Sequence, residues 1–94
     1  MKKHKLKKSV LVKDNQNLGS LVFSIDKDQV YQFVGDSSLA VVLLSRHSKK
    51  EGISSEDLQK ELSEIYNSFK NNKFQNVCLE EFFDQLHKLD LLES

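Results

Sequence analysis

Asp28-Gln29-Val30-Tyr31-Gln32-Phe33-Val34-Gly35-Asp36-Ser37-Ser38-Leu39-Ala40-Val41-Val42-Leu43-Leu44 changes its hydrophobic period at Gly35, and the rest of the chain is read outward from that change. Ahead of Gly35 the pattern alternates, with Tyr31 and Phe33 on one side of an extended strand and Gln32 on the other. Behind Asp36 the apolar residues come too densely for alternation and suit a helix buried over most of its circumference. Gly35-Asp36-Ser37-Ser38 marks the switch. Glycine permits the tight change of direction, and Asp36 or Ser37 is expected to set a side-chain oxygen on the free N–H groups of the first helical turn.

Upstream, Ser20-Leu21-Val22-Phe23-Ser24-Ile25 alternates more plainly. Its larger apolar set, Leu21, Phe23 and Ile25, is expected to face the core, and Ser20, Val22 and Ser24 the solvent. Asp26-Lys27-Asp28-Gln29 closes a hairpin to the strand of Tyr31 and Phe33. Before it, Ser9-Val10-Leu11-Val12-Lys13 is a strand rich in β-branched residues, and Asp14-Asn15-Gln16-Asn17 has turn chemistry. The first half is thus a three-stranded antiparallel meander. Residues 1–8 offer only Leu6 as a sizeable apolar group, so they are expected to form a flexible basic arm, removable without unfolding a single domain of residues 9–94.

Downstream, the helix from about Ser37 to His47 stops in Ser48-Lys49-Lys50-Glu51-Gly52. Ser54 or Ser55 starts the next one, where Ser54-x-x-Asp57 approximates a capping box. Leu58, Leu62, Ile65, Tyr66 and Phe69 follow at helical spacing. Lys70-Asn71-Asn72-Lys73 reads as a loop. Asn76 is expected to cap a last helix whose Leu79, Phe82, Phe83, Leu86 and Leu89 share one broad face. The expected class is α+β, a winged-helix-like arrangement of a three-stranded antiparallel sheet followed by a three-helix bundle. A plain three-helix bundle with a loosely attached hairpin is the alternative.

Several of these stretches together resemble the PqqD-like family. They are Ile25-Asp26, Tyr31-x-Phe33, the Gly35 to Ala40 turn, Val42-Leu43-Leu44, Ile53-Ser54-Ser55-Glu56-Asp57-Leu58, Leu62, Tyr66, and the closing Phe82-Phe83-x-x-Leu86-x-x-x-Asp90-Leu91-Leu92. The family consists of small peptide-binding domains, the precursor-peptide recognition elements of pathways that make ribosomally synthesised, modified peptides. The resemblance runs from about Val10 onward. It differs at two places: the family often has tryptophan where Val42 stands, and glycine where Asp90 stands.

Composition narrows the function. Ninety-four residues with 38% hydrophobic content, 14 bases against 14 acids and no proline describe one soluble domain with a modest core. Lysines crowd the start and acids dominate from Glu51 to Glu93. No apolar stretch long enough for a signal h-region follows the lysines, and none approaches the ~20 residues of a membrane span. The single Cys78 excludes an intramolecular disulfide and fits a reducing cytoplasm, where a small buried hydrophobe is its expected role. His4, His47 and His87 have no Cys or His neighbours at metal-ligand spacing, and isolated Gly35 and Gly52 make no phosphate loop. Glu56-Asp57 and Glu80-Glu81 fit solvated helix faces better than an acid–base pair. No catalytic residue, metal or cofactor is therefore expected, and binding is favoured over enzyme activity.

Two kinds of binding compete. A winged-helix outline with a lysine-rich start suits a small DNA-binding regulator, yet the last two helices carry Glu56, Asp57, Glu61, Glu64, Glu80, Glu81 and Asp84 against few bases, which opposes specific contact with nucleic acid. A peptide can instead pair with the free edge of a meander's third strand. The resemblance implies this second mode: the leader of a precursor peptide adds as a strand and sets its side chains against the last helix. It implicates Val30, Tyr31, Gln32, Phe33 and Val34 for backbone pairing, and Leu79, Phe82, Phe83, Leu86 and His87 for the groove. Tyr31, Phe33, Phe82 and Leu86 are expected to be core first, because so small a domain cannot spare large apolar residues. Phe83 and Leu79 are then the expected anchors, with His87 at the rim or simply exposed. The implied partner is a modifying enzyme, such as a radical S-adenosylmethionine maturase or a leader peptidase.

Overall fold

A computed structural model describes residues 2–15, 19–68 and 79–93. The chain is an α+β domain with the elements β1 (Lys3–His4), β2 (Val10–Asn15), β3 (Gly19–Ser24), β4 (Gln29–Phe33), α1 (Asp36–Ser48), β5 (Ile53–Ser54), α2 (Ser55–Ser68) and α3 (Leu79–Lys88). β2, β3 and β4 form the antiparallel meander in that order. A second, two-stranded sheet pairs β1 with β5. Strand and helix are therefore interleaved, because β5 lies between α1 and α2, and the expected order of a complete sheet followed by helices does not hold. Gln16, Asn17, Phe69, the Lys70–Lys73 loop, the Asn76 cap and Cys78 lie outside the described residues.

The switch at Gly35 forms by a different device from the expected one. Gly35 is itself the N-cap, at φ 63° and ψ −137°, a backbone region that a side chain disfavours, and α1 begins without a side-chain cap. The Gly35 carbonyl accepts the Ser38 N–H at 3.1 Å and the Leu39 N–H at 3.4 Å. Ser38 is thereby free to turn its side chain to the sheet.

That contact bears on the phase of β3, which is opposite to the expected one. Ser20, Val22 and Ser24 are buried, Leu21 and Phe23 only half-buried, and Ile25 exposed. The central strand lies under α1, whose Ala40, Val41 and Leu44 are fully buried. Small side chains let a helix approach that strand closely, and the polar cost of two of them is met by the 2.5 Å bond between the Ser20 and Ser38 hydroxyls. Because strand side chains alternate strictly, inward serines and Val22 force Leu21 and Phe23 outward. Hydrophobicity alone ranked the wrong face.

The helices follow the sequence more closely. Ser54 caps α2, its hydroxyl accepting the Asp57 N–H at 3.2 Å. Leu58 and Leu62 are fully buried with Ile65 beside them, and α3 buries Leu79, Phe82, Phe83 and Leu86. α3 ends in a Schellman motif: the Leu91 N–H bonds the Leu86 carbonyl and the Asp90 N–H the His87 carbonyl, both at 3.0 Å, with Asp90 at φ 57° where glycine is the usual residue.

The start of the described chain also departs from expectation. Rather than a free arm, residues 3–7 run between β5 on one side and residues 91–93 on the other. Lys3 and His4 pair with Ser54 and Ile53, Leu6 bridges Leu92, and Lys7 N–H and Glu93 N–H bond the Leu91 and Lys5 carbonyls. Leu6 is 3% exposed. Lys3–Glu51 and Lys7–Asp90 ion pairs, each 2.8 Å, fasten this segment from the outside. Gly52 makes the pairing possible: at φ 84° it lies so close to the His4 carbonyl that a Cβ would overlap it.

Candidate functional site

β4 is an outer strand of its sheet, so one side of its backbone has no strand partner among the described residues. The register sets Phe33 opposite Ser20 and Tyr31 opposite Val22, which turns both toward the core. Phe33 is buried and Tyr31 half-buried. Val30, Gln32 and Val34 face the other way, with Val30 56% and Val34 63% exposed. α3 meets this strand within the core through Phe82, whose ring contacts that of Phe33 edge-on at 6.4 Å between centroids.

The residues expected to line a groove on α3 divide unevenly. Phe82 and Leu86 are core, as their size required. Phe83 and Leu79, expected as accessible anchors, are buried as well. Phe83 packs against Phe82 at 5.2 Å on one side and is covered on the other by the imidazole of His4, stacked at 3.9 Å and 20°. His87 alone of the five is exposed. The cover is supplied by β1, whose position no helical periodicity could reveal. A signal for it was nonetheless present: His4 and Leu6 alternate with Lys3, Lys5 and Lys7, a period of two within a stretch that reads as simply basic.

His4 is held in place by more than stacking. Its Nε2 lies 3.2 Å from the Ser55 hydroxyl at the start of α2. Burial, and then the nearby Lys2 ammonium and His87 imidazole, hold its pKa below the usual imidazole range, so the neutral ring is the form that stacks. At the other end of the segment, Lys7 and then Lys27 hold the Asp90 carboxyl below its usual range.

No set of three metal-ligating side chains comes together among the described residues, and no described helix is long and apolar enough to cross a membrane. Two surface grooves lie away from β4. One, about 520 Å³, sits between the end of α1 and α2, where Lys3, Lys50 and Lys60 are interleaved with Glu51, Asp57 and Glu61. The other, about 430 Å³, runs along β2.

The outer face of the meander is the further feature that sequence reasoning missed. Leu11, Phe23 and Val30 stand in one cross-strand row, flanked by Leu21 and Ile25. This apolar face follows directly from the inverted phase of β3.

No protein-family model, curated protein or solved structure matches the chain.

Proposed function

We propose that the chain is a non-catalytic peptide-recognition domain of winged-helix-like type. It captures the leader segment of a ribosomally synthesised precursor peptide by strand addition and presents the rest of that peptide to a modifying enzyme, such as a radical S-adenosylmethionine maturase or a leader peptidase. The observation that carries this reading is the position of β4: an edge strand with exposed Val30 and Val34, linked to the last helix by the Phe33–Phe82 ring contact. The sequence resemblance to the PqqD-like family supports the same use of the same two elements.

Roles follow from burial. Backbone groups of Val30 to Val34 pair with the leader, whose alternate side chains meet Val30, Gln32 and Val34 or turn toward α3, where His87 forms the rim. Leu79, Phe82, Phe83 and Leu86 support the site from beneath, and Tyr31 and Phe33 fix the strand on the core. A leader that reaches Phe83 does so by displacing His4. A few added backbone hydrogen bonds at about 0.5–1.5 kcal/mol each and one or two buried apolar side chains at about 1.5–3 kcal/mol each must offset the ordering of the peptide, which points to affinity near micromolar, about −8 kcal/mol.

Titration of the labelled protein with the leader of a precursor encoded beside its gene tests the proposal. Amide shift changes are expected to concentrate in β4 and α3. Changes confined to α2, or no binding at millimolar leader, would overturn it.

A further inference from the structure

The groove along β2 is the second free edge of the meander, and its chemistry is unlike that of β4. Val10, Leu11 and Val12 all line it. Consecutive strand residues point to opposite faces, so all three can border one groove only if it follows the strand's edge. Past Val10, whose N–H bonds the Lys7 carbonyl at 3.0 Å, the described residues supply β2 with no backbone partner besides β3. Leu6 contributes an apolar floor, and Ser45 and Ser48 at the end of α1 form the facing wall. The Ser48 hydroxyl is already used, accepting the Leu6 N–H at 2.9 Å and donating to the Leu44 carbonyl.

Charge distinguishes this groove. Lys5, Lys7, Lys8 and Lys49 line it and no acid does, whereas the groove beside α2 carries both signs. Lys7 is engaged by Asp90, but Lys5, Lys8 and Lys49 have no carboxylate within ion-pair distance among the described residues. Concentrated, uncompensated positive charge around an apolar floor selects an occupant that brings both carboxylates and apolar side chains. A nucleic acid fits less well, because no aromatic ring lines the groove for a base to stack on and a strand edge offers a base little.

We propose that the β2 edge is a docking site for an extended segment of a partner protein in which acidic and apolar residues alternate. The segment adds as a strand beside β2, its carboxylates turned to the α1 side, where Lys49 stands with Lys5 and Lys8, and its apolar side chains continuing the row of Leu11 and Phe23 on the outer face. This site is independent of the use of β4, and both edges can be occupied at once.

The test uses the full chain and an alternating glutamate–valine peptide, with a lysine–valine peptide and an oligothymidylate of matched charge as comparisons. The glutamate peptide is expected to shift amides of Val10 to Lys13 and Ser45 to Lys49 while sparing β4, and to bind more weakly as salt is raised. The double substitution Lys8→Glu and Lys49→Glu, at two exposed positions, is expected to weaken it roughly tenfold or more, with Lys60→Glu in the other groove as an unaffected control. Equal binding of the lysine peptide, shifts located at β4, or an oligothymidylate that displaces the peptide from the same residues would each overturn the proposal.

Discussion

Residues 3–6 and strand β3 are opposites in sequence and opposites again in structure. Lys3-His4-Lys5-Leu6 is dominated by charge, yet it buries Leu6, lays His4 over Phe83 and supplies the strand that β5 pairs with. Leu21-Val22-Phe23-Ser24-Ile25 is the most regular apolar pattern in the chain, yet it turns its larger side chains outward and its serines inward. Local hydrophobicity states how much a residue gains from burial. Which residues are in fact covered depends on what arrives from elsewhere: α1 over the small face of β3, and β5 with residues 91–93 around the first strand.

The largest test of this contrast is Leu6→Ala. A side chain so enclosed is expected to cost about 2–5 kcal/mol, read by urea denaturation, and removal of residues 1–8 is expected to cost more. Loss below about 1 kcal/mol would mean that the segment lies on the domain without supporting it. Next comes Gly52→Ala, which places a Cβ against the His4 carbonyl at a positive φ; about 1–3 kcal/mol is expected, with amide exchange increased first in β1 and β5 and least in the meander.

A smaller effect belongs to pH. Because the folded-state pKa of His4 is depressed, the unfolded chain takes up the proton first. Stability is therefore expected to fall as pH drops below about 6.5 and to level off once the folded state is protonated too. His4→Phe keeps a ring over Phe83 and is expected to flatten that part of the profile; a profile unchanged by the substitution would show that His4 is not its source. Smallest of all is Ile25→Thr, expected to change stability by no more than about 0.5 kcal/mol because the side chain is 62% exposed. A cost above about 2 kcal/mol would place Ile25 in a covered face.

The candidate site was legible to the extent that it depended on adjacency in sequence. A hairpin followed by a strand-to-helix switch puts β4 at a sheet edge, and the spacing of α3 correctly grouped Leu79, Phe82, Phe83 and Leu86 on one face. Accessibility was not legible, since the residue that covers Phe83 is nearly eighty positions away in the chain. The basic groove was hidden for the same reason: its lysines come from the first eight residues and from the end of α1, and only the fold brings them to one strand edge.

The sequence by itself determined the α+β class of this protein and the position of its meander and helices. Period two and period 3.6 are imposed by backbone geometry within a few residues, so the meander, the switch at Gly35, one largely buried helix and two amphipathic ones could be read without knowing their partners. Tertiary structure alone decided which face of β3 is core, where the first strand lies and which aromatic residues are reachable. Those outcomes are set by contacts between distant segments: a serine pair that admits α1, a glycine that admits the His4 backbone, and a histidine ring that covers a phenylalanine.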